Sequence, residues 1–328
     1  MKGGPVLVAG GGGFVGSHLV GALLTRAEEV VVVDSFQTGR RTNLASLIDD
    51  DRLTIQHANI IDPLPPEVAS RTYARIYHLA SPASPADYGR LPLETLRANS
   101  IGTMQLLDLA SRDGARFVLA STSEVYGDPT VHPQPETYWG NVNPIGPRSC
   151  YDEGKRFAES VTMSYVRARD VDARVARIFN TYGPRSAPGD GRMMPSFCVQ
   201  ALRGEPLTVY GDGSQTRSCC YVTDLVEGLV ALMDSDGLAG EVVNLGNPDE
   251  RTVLDIARRV VHLAESGSPI IYERLPTDDP SRRRPDIRKA RAVLGWAPKV
   301  DLDNGILRTL EYFSAAGIGP ARTLAIGG

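Results

Sequence analysis

The segment Val6-Leu-Val-Ala-Gly10-Gly-Gly-Gly13-Phe-Val-Gly16 constrains the fold more than any other stretch of the chain. A short β-branched run passes into glycines at positions 10, 13 and 16, and a helical pattern follows. Glycines there permit a tight turn, let backbone N–H groups approach a pyrophosphate and let helix pack closely on strand. The helix N-terminus favours the phosphate charge. Asp34 closes the next strand pattern, Val30–Asp34, where a carboxylate accepts hydrogen bonds from a ribose 2′-hydroxyl and repels a 2′-phosphate. The two features together point to NAD in preference to NADP, with Arg40 and Arg41 near enough in sequence to soften the preference.

Further short apolar runs, Leu53–Ala58, Ile76–Leu79, Phe117–Ser121 and Val175–Phe179, read as strands. Gly16–Thr25, Pro92–Arg112 and Cys150–Ala168 read as helices between them. Continuous apolar strands separated by helices predict a parallel sheet covered on both faces. After Asn180 the texture becomes rich in Pro and Gly, from Gly183 to Gly213, with a short helix near Pro195–Arg203. A helix at Thr223–Met233 and a strand at Val242–Leu245 follow. Beyond them come a helix near Val253–Ala264, a strand near Ile270–Glu273, a basic loop at Ser281–Arg284 and a last helix near Gly305–Ala315. The expectation is an α/β chain: a Rossmann-like doubly wound parallel sheet with a smaller C-terminal α/β lobe. Residues 1–182 and 217–246 would form the cofactor half, and 183–216 and 247–328 the substrate half.

A formal charge of −4 offers no basic surplus for a nucleic-acid partner. The early apolar run Pro5–Ala9 is too short for a secretory signal, and no stretch is long enough to span a membrane. Cys150, Cys198, Cys219 and Cys220 lack CxxC spacing, so a metal site is not expected, and reduced thiols in a cytoplasmic protein are.

Tyr151 and Lys155 are four apart on a predicted helix and share a face. A lysine cation near a phenol favours the phenolate, which is what a base needs to take a proton from a sugar hydroxyl as hydride leaves the same carbon. The stretch Ala120-Ser-Thr-Ser-Glu124-Val-Tyr126-Gly follows a strand of the same sheet and brings Thr122 toward the reacting hydroxyl. With these motifs the chain resembles the extended short-chain dehydrogenase/reductases, which include nucleotide-sugar epimerases, dehydratases and decarboxylases. The likeness extends over nearly the whole sequence. His78–Pro85, Tyr138–Lys155, Arg177–Pro184 and Asp278–Asp286 resemble, more narrowly, the UDP-glucuronate decarboxylase (UDP-xylose synthase) branch.

That resemblance implies bound NAD, a UDP-sugar substrate and a homodimer joined through the helices Pro92–Arg112 and Cys150–Ala168. For NAD it implies Gly10, Gly13, Phe14, Val15, Gly16 and Asp34, then Ser35, Thr38 and Gly39 in the loop that follows. Asn59, Ile60, Leu79, Ala80 and Ser81, with Tyr151 and Lys155, complete the set. For the UDP moiety it implies Asn180, Arg192, Tyr210 and Arg217. For the sugar carboxylate it implies one arginine of Arg282, Arg283 and Arg284, by family position Arg283. Cys219 stands where an aromatic residue is common, and Ser35 and Gln37 where other residues are usual.

Related 4,6-dehydratases carry an Asp-Glu pair after the threonine, and here Ser123-Glu124 stands instead, which disfavours dehydration. Simple 4-epimerases have a small or apolar residue at the position of Glu124, so a carboxylate suggests a further step. The implied step is loss of CO2 from a 4-keto glucuronyl ring. Thr122, Ser123, Glu124, Tyr151, Lys155 and Arg283 would be the catalytic set. The alternatives are a UDP-hexuronate 4-epimerase, a UDP-apiose/xylose synthase and, from another class, a non-catalytic NAD-binding sensor.

Overall fold

In the computed structural model, which describes residues 4–319, β1 (Val6–Ala9) sends Val6 and Val8 into one hydrophobic core and Leu7 and Ala9 into another. β2 (Val30–Asp34) divides Val30 and Val32 from Val31 and Val33 in the same way. A strand buried on both faces has no polar side, hence the continuous apolar runs and the helices on either side. β3 (Leu53–His57), β4 (Arg75–His78), β5 (Arg116–Thr122), β6 (Ala173–Ile178) and β7 (Val242–Leu245) complete a sheet in which every pair is parallel. The strand order is β7-β6-β5-β4-β1-β2-β3. The chain therefore runs outward from β1 to β3, then crosses back to β4 on the other side of β1. That reversal opens a crevice at the carboxyl ends of the strands, where ligands bind in sheets of this kind.

Leu19 and Leu23 of the Phe14–Thr25 helix and Leu225 and Leu229 of the Val222–Asp234 helix cover one face. Leu106 and Ala110 of Thr103–Asp113 and Ala158 of Ser149–Arg169 cover the other. The first of these cores continues through Phe197, Leu207, Ile256 and Phe313, so the later part of the chain packs onto the same side of the sheet.

The strands and most helices lie within a few residues of the sequence expectation. The single helix expected over Pro92–Arg112 is instead two, Pro92–Arg97 and Thr103–Asp113, joined by a π-helical turn at Ala98–Gly102. There the Thr103 hydroxyl donates to the Asn99 carbonyl at 2.9 Å and also meets His78 Nε2 at 3.0 Å. Gly102 is needed for close packing, since a Cβ would lie 2.5 Å from Ile60 Cδ1. Sequence periodicity also missed the strand Leu207–Tyr210, parallel to Ile270–Glu273, and the antiparallel pair Thr216–Ser218 and Glu250–Thr252. The helix Arg288–Leu294 was likewise not expected. Among the described residues no helix is long and apolar enough to cross a membrane, and no group of side chains could hold a metal ion.

Candidate active site

Gly10 adopts φ +85°, and a Cβ on it would lie 2.6 Å from the Ala80 nitrogen; a Cβ on Gly16 would lie 2.1 Å from the Gly10 carbonyl oxygen. Glycine at these positions is what lets β1 turn directly into the following helix. Gly13 is the N-cap of that helix and offers no side chain to its first N–H groups. Gly10, Gly13, Phe14, Val15 and Gly16 line one end of a cavity of about 670 Å³, joined there by Thr38, Leu79 and Ser81. Asp34 is buried beside them, accepting from Gly12 N at 2.8 Å and Phe36 N at 2.7 Å. Burial raises its pKa and the two backbone N–H groups oppose the rise. Two oxygens with two backbone donors retain lone pairs for a ribose hydroxyl, and uncapped N–H groups suit a pyrophosphate, so this end fits a dinucleotide.

Gly39 packs on Asp34, and a Cβ there would be 3.0 Å from both carboxylate oxygens. The Ser35 hydroxyl accepts from Gln37 N at 3.4 Å. Asn59 Oδ1 accepts from Ile61 N at 3.3 Å, Ile60 is buried in the core, and neither lines the cavity. Arg40 donates to the carbonyls of Arg185 and Ser186, while Arg41 lies over the Phe36 ring. Both candidates for softening the NAD preference thus have other partners.

At mid-cavity β5 ends at Thr122, and the Ser149–Arg169 helix begins opposite it. Tyr151 is buried, hydrogen-bonded with Thr122, and its ring stacks on Tyr88 at 5.0 Å. Lys155 is also buried; its Nζ donates to the Ala120 carbonyl at 2.8 Å and lies 6.0 Å from the Tyr151 ring centroid. Burial dominates the electrostatics of both groups. Burial pushes Tyr151 up to about 12, with Thr122 opposing, and Lys155 is itself brought down to about 8 by burial. Ser123 is buried in the short helix Ser123–Tyr126.

The far end is a cluster of arginines and carboxylates. Glu124 accepts from Arg148 Nη2 at 2.6 Å and from Arg283 Nη1. Arg217 donates to Asp279 at 2.7 Å and to the Pro280 carbonyl at 2.9 Å, and Arg148 also reaches Asp279 at 3.5 Å. Burial would raise the Glu124 carboxyl, but Arg283 and Arg148, with Arg217 behind them, outweigh it and hold it at about 2. Of the three adjacent arginines only Arg283 is both buried and in the cavity wall; the Arg282 side chain is 59% exposed. The reason is backbone pairing: Gln134 N donates to the Arg284 carbonyl, Arg284 N to Gln134 Oε1, and Asp286 N to the Gln134 carbonyl. These bonds fix the segment just after Arg283, whose guanidinium reaches Glu124 in the cavity wall. Asn180, Arg192 and Tyr210 also line the cavity, with Arg192 paired to Asp190 at 3.1 Å and Tyr210 at the exposed rim. A broader groove of about 940 Å³ is lined by Leu254, Arg258 and Tyr272 and carries none of these residues.

A family model described as GDP-mannose 4,6 dehydratase matches residues 7–309. UDP-glucuronic acid decarboxylase 1 of Danio rerio is 53% identical over 309 residues, covering 94% of this chain and 72% of that protein. UDP-glucuronic acid decarboxylase 1 of Arabidopsis thaliana is 52% identical over 308 residues, covering 94% and 69%. The chain belongs to the UDP-glucuronic acid decarboxylase family. Among solved structures, the UDP-glucuronic acid 4-epimerase of Bacillus cereus in complex with UDP-glucuronic acid and NAD superposes with a TM-score of 0.87 at 28% identity, over 95% of this chain and all of that one. The UDP-glucose 4-epimerase of Thermotoga maritima with UDP-glucose gives 0.86 at 30% identity, over 95% and 99%.

For this decarboxylase-family chain, sequence reasoning overlooked Arg148, Asp152, Asp279 and Tyr88. Arg148 carried a signal, since it stands one helical turn before Tyr151 and so shares its face. Asp279 stands within the Asp278–Asp286 stretch but with no spacing that marks its role, and Tyr88 carried no signal, because contacts from distant segments bring them in.

Proposed function

We propose that the protein is an NAD-dependent decarboxylase that converts UDP-glucuronate to UDP-xylose. The observation that carries the reading is the joint presence of Arg148, Arg283 and Glu124 next to the Tyr151–Thr122 pair, in a chain 53% identical to a UDP-glucuronic acid decarboxylase. NAD bound at the Gly10–Gly16 end would supply an acceptor for the C4 hydride, the same hydride going back to C4 after CO2 is lost, and its positive charge would favour the Tyr151 phenolate. Tyr151 Oη accepts the proton of the C4 hydroxyl, with Thr122 fixing the hydroxyl's direction and Lys155 supporting the phenol. Arg283 and Arg148 hold the glucuronyl carboxylate, which is β to the C4 ketone. When CO2 leaves, the electron pair delocalises into that carbonyl, and the hydroxyls of Tyr151 and Thr122 donate to the enolate oxygen. Glu124 and Ser123 manage protons at C5. Arg217, Arg192, Asn180 and Tyr210 take the UDP moiety.

In this reading residues 1–182 and 217–246 form the NAD-binding lobe, with Asn180 and Arg217 at its boundary reaching the nucleotide, and residues 183–216 and 247–328 form the sugar-nucleotide lobe; residues 1–3 and 320–328 lie outside the described structure. The protein acts as a homodimer in the cytoplasm. Support for the dimer comes from exposed Leu93, Leu96, Ile101 and Phe157 on the adjoining helices.

The test is to incubate the protein with UDP-glucuronate and NAD and analyse the products. Release of CO2 with a UDP-pentose supports the proposal. The likeness to the Bacillus cereus enzyme favours a second reading, 4-epimerisation, in which a UDP-hexuronate keeps its carboxylate and no CO2 appears.

A further inference from the structure

Asp152 follows Tyr151 in the first turn of the Ser149–Arg169 helix and is 7% exposed, yet its Oδ1 has no protein partner among the described residues. An ordinary first-turn carboxylate faces solvent and interacts with the helix N-terminus. Here Arg148 at the N-cap and Cys150, Tyr151 and Glu153 surround it on its own helix, Tyr88 faces it from the Pro85–Arg90 helix, Glu124 from the short helix Ser123–Tyr126, and Arg283 from the C-terminal loop. Tyr88 Oη and Arg148 Nε in the same cluster also lack partners.

The charges around it do not balance. Glu153 is paired with Arg156 at 3.5 Å, so Arg148, Arg217 and Arg283 face two carboxylates, Glu124 and Asp279, which leaves one positive charge over. If Asp152 is ionised, that charge is already neutralised and an incoming glucuronyl carboxylate finds none left. If Asp152 is protonated, the charge is open to the substrate. Burial first, then Glu124, raises the Asp152 carboxyl to about 7 against the pull of Arg148 and Arg283, so both forms are within reach near neutral pH.

We propose that Asp152 is a proton-loading, positioning residue that binds a proton from solution as the carboxylate of the substrate enters the arginine cluster. This rests on the functional reading above. Its chemical use follows from stoichiometry: a carboxylate that loses CO2 and ends as C–H consumes one proton, and a loaded Asp152 holds one inside the site before the C5 carbon needs it. The sign follows from linkage. A second negative charge raises the Asp152 pKa further, so uptake occurs at pH above the free protein's midpoint and fades below it.

Titration calorimetry of Tyr151→Phe holoenzyme, which should bind without turnover, tests this in two buffers of different ionisation enthalpy at about pH 8. Uptake should approach about one proton per UDP-glucuronate and be near zero for UDP-glucose, which has a hydroxymethyl group in place of the carboxylate. Adding Asp152→Asn should abolish the uptake while leaving UDP-glucose affinity within about twofold. In the protein with Asp152 intact, infrared difference spectra should gain a protonated-carboxyl band with UDP-glucuronate alone, and this arm decides if the Asn variant does not fold. Uptake that survives in Asp152→Asn, or UDP-glucuronate binding with neither uptake nor band, overturns the proposal. Binding of UDP-glucose but not UDP-glucuronate overturns the functional reading itself, and the proposal with it.

Discussion

Replacing Glu124 with glutamine should separate binding from turnover. Glu124 accepts from Arg148 at 2.6 Å and from Arg283, so a glucuronyl carboxylate competes with it for both guanidinium groups. A charge-assisted hydrogen bond is worth about 1.5–3 kcal/mol, while the neutral carbonyl of glutamine keeps one bond worth about 1 kcal/mol. About 0.5–2 kcal/mol of arginine interaction thereby becomes available to the substrate, which corresponds to roughly two- to thirtyfold tighter UDP-glucuronate binding. Affinity for UDP should not change, because Arg192 and Arg217 are untouched. Turnover should fall on the order of a hundredfold, since an amide cannot exchange the proton. The free variant should melt at a lower temperature than its parent, because two buried arginines lose their shared anion, and UDP-glucuronate should restore most of the loss. Calorimetry with UDP-glucuronate and UDP, together with product chromatography, gives both quantities. Weaker UDP-glucuronate binding would refute the competition between Glu124 and the substrate, and kcat within about twofold of the parent would refute its part in proton exchange.

Three further outcomes follow from the same geometry. The protein should bind NAD more tightly than NADP, because a phosphate charge about 5 Å from the Asp34 carboxylate costs about 3 kcal/mol at an effective dielectric of about 20; equal affinities by fluorescence titration would remove Asp34 from this role. Tyr151→Phe should lose at least about a hundredfold in kcat while retaining UDP affinity and melting temperature, and near-normal turnover would mean another group is the base. Phe157→Asp places a charge on an exposed apolar helix surface and should convert a dimer to a monomer by light scattering, whereas a monomeric parent would refute the interface.

The inner strands were legible in the sequence because they are largely apolar and buried on both faces, as Val30–Val33 shows, whereas the edge strand Leu53–His57 is only half-buried and mixes Thr and Gln among its apolar residues. The glycine loop was legible because Gly10 and Gly16 leave no room for a Cβ. Leu207–Tyr210 escaped notice since it is four residues long, lies within the Pro- and Gly-rich stretch, and pairs with Ile270–Glu273 far along the chain. Of the site, the sequence pointed to Tyr151, Lys155, Glu124 and Arg283 as residues but not to their electrostatics. The Tyr151 phenol is up at about 12 and Glu124 down at about 2 because of burial and of arginines from distant segments, which no local pattern encodes. Asp152 carries no mark in the sequence that sets it apart from any acid in a helical first turn; its burial beside Glu124 comes from the tertiary fold.

The fate of the carboxylate carbon tests the central claim most directly. With UDP-glucuronate labelled with 13C in the carboxyl group and the reaction run in D2O, NMR should show the label leaving as CO2 and bicarbonate while UDP-xylose forms with deuterium at C5. A label that stays on a UDP-hexuronate, with only C4 inverted, would contradict decarboxylation.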